Sequence, residues 1–288
     1  MSLVNLQPWL LRAQREGWAV GAFNANTLEQ VQAIVVAAQA ETAPVLVQIS
    51  HRALLHVGSG NALLGLRYMA EIGRVAAQSV TVPVGLHLDH ANAEEVLAAM
   101  ALGFTSVMFD GGALSFDANV AETARLCAIA HGLNVCLEAE VGAVPRADAA
   151  GHLDEAVELT RAEDAAAFVA YTQVDTLAIA LGSVHAVRAK TVTLDLERLR
   201  QIRAAVAVPL VLHGSSGVTD DHIKQGIALG LCKVNIATQL SQAFTAGARG
   251  ALAGPDEIDP RRYLGPARAA MTERVRERIG FVGAAGKA

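Results

Sequence analysis

The sequence predicts an α/β fold, a (β/α)8 TIM barrel with an N-terminal helix and a C-terminal helical extension. Three observations predict it. Short apolar strand patterns alternate with helical patterns along all 288 residues, and eight such strands can be placed. The strands carry no long polar alternation, as expected where both faces are buried. Each ends in a polar residue, and a parallel barrel gathers all its strand ends on one face. No linker or shift in composition divides the chain, so 1–288 is expected to be one barrel domain with 255–288 as its extension. A doubly wound open sheet is the alternative. It usually has fewer strands and often a Gly-rich turn after the first, whereas here that strand ends in Phe23-Asn24-Ala25-Asn26.

The elements follow in order. Leu3 to Glu16 reads as an opening amphipathic helix stopped by Gly17. Trp18 to Phe23 is a strand, and Thr27 caps a helix whose apolar face is Leu28, Val31, Ile34, Val35 and Ala38. Val45 to Ile49 is the second strand; a Gly/Ser/Asn loop around Gly58 to Asn61 leads into a helix ending near Gln78. Pro83 opens the third strand, Val84 onward, which ends in adjacent ionisable residues, Asp89 and His90, before a helix to Leu102. Thr105 to Phe109, Asn134 to Glu140 and Thr176 to Leu181 are the next strands, with helices from Asp117 or Asn119 and from Thr160 or Glu163. Gly142 to about Thr160 has no period and reads as a long loop, the kind that often serves as a lid. Helices at Leu194 to Val206 and Thr219 to Leu229 flank the strand Pro209 to Leu212. Cys232 to Ile236 is the last strand, followed by a helix to about Ala251 and two helical pieces, Arg261 to Ala270 and Thr272 to Gly280.

Composition narrows the function classes. Apolar residues are 52% and charged residues 18%, which predicts a sizeable core. A net charge of −5 provides no basic footprint, so nucleic acid is not expected as a partner. The three cysteines show no CxxC spacing and fit a reducing compartment; Cys127 and Cys136 read as inert core. No signal-peptide pattern and no membrane-length apolar run is seen, so a cytoplasmic protein without membrane association is expected.

The strand ends supply Asn24, Ser50, Asp89 with His90, Asp110, Glu140, His185, His213 and Asn235. Three imidazoles on one lip suit a catalytic zinc, which takes three protein ligands and keeps a fourth position open; alternatively each is a separate hydrogen-bonded core histidine. Asp89 is placed either to support a ligand or to transfer a proton. Asp110 and Glu140 could form a second metal position or hydrogen-bond the histidines. Glu138 and Glu140, two residues apart on a strand, point to the same side. His87 is either a donor behind the site or a packed residue. His51, His56, His131, His152 and His222 fall in loops or helices and are expected to be solvated. The small-residue loops His213 to Val218 and Val234 to Thr238 precede helices after strands seven and eight, where barrels commonly bind phosphate; ordinary helix capping is the other reading. No lysine at a strand end offers a Schiff-base route; Lys233, which begins the last strand, is the only near candidate.

With those residues in view, the chain resembles the class II, metal-dependent fructose-bisphosphate and tagatose-bisphosphate aldolases. The resemblance runs nearly end to end, through GAFN, HLDH, SVMFDG, LEAEVG, LGSVH, LVLHGSSGV, KVNIAT and DPRRYLGPAR. It implies a lyase of carbohydrate metabolism that cleaves a sugar phosphate to dihydroxyacetone phosphate and an aldehyde. It implies Zn2+ on His90, His185 and His213, with Asp110 and Glu140 at a second metal position, and a monovalent cation (Na+ or K+) near the phosphate. Asp89 matches the acid/base for the C4 hydroxyl; Gly214, Ser216, Asn235 and Thr238 match the binding site for dihydroxyacetone phosphate; Asn24 and Ser50 match substrate-side positions. A homo-oligomer, dimer or tetramer, is expected.

Three stretches depart from the family pattern. The mobile loop normally carries Gly-Gly-x-Glu-Asp; here it reads Val144-Pro145-Arg146-Ala147-Asp148, which puts Asp148, one methylene shorter, in the glutamate's place. Asp110-Gly111-Gly112-Ala113 lacks a serine and a following histidine. His185-Ala186-Val187-Arg188 replaces HGxY, leaving Ala186 only backbone atoms to offer the substrate. These bear on the aldehyde side more than on the ketone. Two further readings stand beside this one: a metal-dependent sugar-phosphate epimerase or isomerase, and a non-catalytic aldolase-like subunit.

Overall fold

The computed structural model describes residues 3–145, 158–185, 187, 189–254 and 257–288. Eight parallel strands close into a barrel in sequential order: β1 (Val20–Asn24), β2 (Val45–Ser50), β3 (Val84–Ala91), β4 (Ser106–Phe109), β5 (Cys136–Val141), β6 (Thr176–Ile179), β7 (Leu210–Leu212) and β8 (Leu231–Ile236), with β8 pairing back onto β1. Nearly every strand residue is buried, as expected for strands covered by helices outside and packed side chains within.

The helices are α1 (Gln7–Glu16), α2 (Leu28–Ala40), α3 (His51–Val57), α4 (Ala62–Gln78), α5 (Ala93–Ala101), α6 (Phe116–Gly132), α7 (Ala162–Thr172), α8 (Leu196–Ala205), α9 (Asp220–Ala228), α10 (Thr238–Ala251) and α11 (Pro260–Phe281). Several starts are fixed by side chains accepting a free N–H of the first turn: Thr27 for α2, Asn61 for α4, Asn92 for α5 and Ser115 for α6.

Three expectations need correction. The first helix starts at Gln7, not Leu3, because the Val4 N–H is spent on the Val84 carbonyl (3.0 Å) below the barrel. A helix absent from the expected order, α3, follows β2 directly, started by Ser50. The two C-terminal helical pieces are one 22-residue helix. Pro266 lies inside it and forfeits one backbone hydrogen bond, yet the helix continues through it, with its buried face Ala267, Met271, Val275 and Ile279 packed in the region of α2 and α10.

Register explains the barrel interior. Gln48 lies beside His87, Ser50 beside Asp89, His87 beside Ser106 and Glu138 beside Thr176. With a side-chain period of two, these strands present polar groups inward and apolar groups to the helices. The strands are apolar in overall composition, but the inner layers of β3, β5 and β8 carry His87, Asp89, Glu138, Glu140, Lys233 and Asn235. All three cysteines are buried free thiols whose pKa values burial pushes up, that of Cys232 to about 11, so the inert reading of Cys127 and Cys136 holds.

Candidate active site

The site lies at the carboxyl ends of the strands, and its most unusual backbone is in β3. His90 has φ of 50°, a left-handed conformation rare for a non-glycine residue. The β3–β4 register shifts between Leu88 and Ala91 at the same place. In a regular strand adjacent residues point to opposite faces; this irregularity re-aims the chain so that Asp89 and His90 both reach the mouth.

His90, His185 and His213 converge, with one nitrogen from each within 4.8 Å of the others. Their ring centroids are 4.9 to 6.0 Å apart. His90 Nδ1 lies 2.7 Å from Asp110 Oδ2, which orients the ring; its Nε2 is buried and finds no hydrogen-bond partner among the described residues. His213 is fully buried, with Nδ1 2.7 Å from Glu140 Oε2 and Nε2 3.0 Å from Glu138 Oε1. His185 follows β6, and its backbone N–H donates to the Pro145 carbonyl. The residues therefore fit a metal: three imidazoles, one with an unsatisfied buried nitrogen, around a shared point. Asp110 and Glu140 meet the histidines as hydrogen-bond partners, one of the two roles open to them from sequence.

Electrostatics follow from this crowding. Burial pushes the Asp89 carboxyl up, but the neighbouring His90, His213 and Lys233 more than offset it and hold it below the usual carboxylate range. The hydrogen bond from His90 holds Asp110 down at about 2. Burial works against a charged His213, yet the two glutamates grip it and raise its pKa.

The remaining predicted residues gather around this centre. Asn235 Nδ2 donates to Asp89 Oδ1 at 3.3 Å, and Asn24 accepts from Gln48 Nε2 at 3.0 Å. Ser50 caps α3, accepting the Ala53 N–H at 3.3 Å. Gly214 has φ of 63°, and a Cβ there would fall 2.9 Å from the Val184 carbonyl carbon, so only glycine lets the loops after β6 and β7 approach. Ser216 lies in a single 3-10 turn, Ser215–Gly217, inside the loop after β7, and α9 follows with Thr219 at its N-cap and Leu229 at its C-cap, as expected. Thr238 opens α10, whose first turn has no acidic residue and no side-chain cap. Asp148 and Ala186 lie outside the described residues.

Several residues were missed or undervalued from sequence. Gln48 is 1% exposed and tied to Asn24. Lys233, weighed for a Schiff base, is buried with Nζ 2.8 Å from Glu138 Oε2. His87 is fully buried, its Nδ1 2.7 Å from Ser106 Oγ. The signal was the i, i+2 spacing of polar residues in HLD, EAE and KVN. The histidines expected to be solvated are more engaged: His51 Nδ1 is 2.8 Å from Glu95 Oε1, His131 Nε2 is 3.1 Å from Asp175, and His222 accepts the Leu194 N–H. Solvent-facing loops and helices still allow such pairing. His56 is exposed, and His152 lies outside the described residues.

Fold and site together define a barrel enzyme with a histidine-lined centre at its carboxyl-end mouth. The profile of the family described as "Fructose-bisphosphate aldolase class-II" matches residues 4–287. A fructose-bisphosphate aldolase of Streptococcus pyogenes serotype M3 is 38% identical over 303 residues, covering 100% of both chains. A sulfofructosephosphate aldolase of Alkalicoccus urumqiensis is 34% identical, covering 100% of this chain and 99% of the relative. The crystal structure of the YdjI aldolase from Escherichia coli K12 superposes with a TM-score of 0.85 at 31% identity, over 99% of each chain. The chain belongs to the class II fructose-bisphosphate aldolase family and is a lyase. Membership decides against the epimerase or isomerase reading and the non-catalytic subunit. No helix among the described residues is long and apolar enough to cross a membrane.

Proposed function

We propose that this chain is a zinc-dependent aldolase that reversibly cleaves a ketose 1-phosphate or 1,6-bisphosphate to dihydroxyacetone phosphate and an aldehyde. The observation that carries this reading is the convergence of His90, His185 and His213 within 4.8 Å beside Asp89. Bound zinc would supply Lewis-acid polarisation of the substrate ketone. Asp89, 6% exposed and held anionic, would take the C4 hydroxyl proton in cleavage and return it in synthesis. Asn235 fixes that carboxylate from one side. Gly214, Ser216, Asn235 and Thr238 would bind the phosphate at the start of α10, where free backbone N–H groups favour an anion, with a Na+ or K+ ion nearby. Asn24, held by Gln48, and Ser50 would line the substrate, with the Ala186 backbone beside it.

Asp110 and Glu140 would serve a second metal position as well as the histidines they touch. Asp148 would occupy the place of the family's loop glutamate. Gly112 and Ala113 leave the aldehyde side without the usual polar groups, which favours an aldehyde other than glyceraldehyde 3-phosphate; a relative is named for a sulfofructose phosphate. The chain would act as one barrel unit in the cytoplasm, as a homo-oligomer.

The test is a cleavage assay over several ketose 1-phosphates and 1,6-bisphosphates, with and without chelator. Dihydroxyacetone phosphate release that chelation abolishes and zinc restores is expected. Activity indifferent to chelation, or undiminished in His213→Ala, overturns the reading.

A further inference from the structure

We propose that the buried pair Lys233–Glu138 is a positioning device for His213, holding its Nε2–H so that Nδ1 is the nitrogen presented to a metal ion. This rests on the zinc-centre reading above. Glu138 Oε1 lies 3.0 Å from His213 Nε2 and 3.0 Å from Lys233 Nζ, while Oε2 lies 2.8 Å from the same ammonium. Thr176 Oγ1 adds a longer contact at 3.4 Å. Both Glu138 and Lys233 are 1% exposed at the side chain.

The two nitrogens of His213 are thus held unequally. The carboxylate on Nε2 is locked into the barrel interior by a neighbouring ammonium, and moving it would leave two buried charges without their partners. The carboxylate on Nδ1, Glu140, is 11% exposed at the mouth and pairs with no ammonium or guanidinium among the described residues. Nδ1 is the nitrogen that can exchange its partner for a metal. A ligating histidine generally donates its other N–H to such a partner, which fixes the ring and its tautomer. Here β5 and β8 supply that partner from one layer deeper than the ligands themselves. Lys233 belongs to this device: without it the carboxylate behind His213 would be buried and uncompensated.

Histidine-15N-labelled full-length protein loaded with zinc tests the idea. The long-range 1H–15N spectrum is expected to show His213 protonated at Nε2 and coordinated through Nδ1. Coordination through Nε2 overturns the proposal, whatever any variant does. Zinc dissociation constants from chelator competition are expected to rise ~10–100-fold in Glu138→Gln and in Glu138→Gln/Lys233→Met, the second chosen because it leaves no unpaired buried charge. Folded variants that bind zinc as tightly as wild type count against it. His213→Ala separates the two readings: if it too keeps wild-type affinity, the zinc centre itself is misplaced, whereas if it alone loses zinc, only the positioning role fails.

Discussion

His87 lies two residues before Asp89 on β3, on the same inward face, and is fully buried. Burial, with the Lys233 charge nearby, pulls its pKa down to about 3. The folded state therefore keeps it neutral, whereas the unfolded chain takes a proton once pH falls below about 6.5. The sign follows: its contribution to stability is complete above pH 6.5 and is lost as pH falls from there towards 3, at about 1.4 kcal/mol per pH unit. Denaturant unfolding of metal-free protein between pH 6.5 and 4.5 should show a shallower decline in His87→Gln than in wild type. Parallel curves would mean that this histidine is reached by protons in the fold. His213, whose pKa is shifted upward, is present in both proteins and so contributes alike to the two curves. At this scale the sequence marks the residues by type and spacing: His90, His185, His213 and Asp89 were all visible as polar groups ending apolar strands. It did not show that His90 needs φ of 50° or that Glu138 and Lys233 would meet, since neither is a property of neighbours in the chain.

Between β2 and β3 the chain folds as a helical hairpin, α3 and α4, that wraps the outside of the barrel near Ser50. Its closeness depends on Gly65, where an added Cβ would fall 2.1 Å from the Leu54 carbonyl oxygen. Because both sides of that contact are backbone, the helices must separate to admit a methyl group. Gly65→Ala should therefore cost about 1–3 kcal/mol, read as a lowered denaturation midpoint at unchanged slope. An unchanged midpoint would show that the hairpin is free to open. Long periodic elements such as α2 and α4 were legible from their apolar faces. The seven-residue α3 was not, because two turns are too short to display a period and its cap, Ser50, also reads as a strand end. The break expected between Ala270 and Thr272 is absent, because the buried face Ala267, Met271, Val275 and Ile279 packs one continuous helix against α2 and α10.

The barrel as a whole is closed by eight strand pairs and covered by helices, and the candidate metal ligands lie at its rim. The fold does not depend on the ion for its core. Chelation should therefore abolish cleavage while leaving far-UV circular dichroism and a cooperative melting transition in place. Restored zinc should raise the melting temperature with concentration, by mass action worth about 2.7 kcal/mol when free zinc is 100 times its dissociation constant. Loss of secondary structure on chelation would show the metal to be structural instead.

Composition and periodicity by themselves determined the alternation of strands and helices, and hence the barrel, because burial on both faces leaves a strong local signature. The ordered motifs also determined the family, and with it the reaction class. Tertiary structure decided how the polar residues are paired: Asp110 and Glu140 on the histidines, Gln48 on Asn24, Lys233 on Glu138. Those pairings come from strand register and from one irregularity in β3, which set which side chains share a layer inside a closed barrel. A linear pattern records the direction of each side chain along its own strand; only closure puts β3, β5, β7 and β8 around the same point.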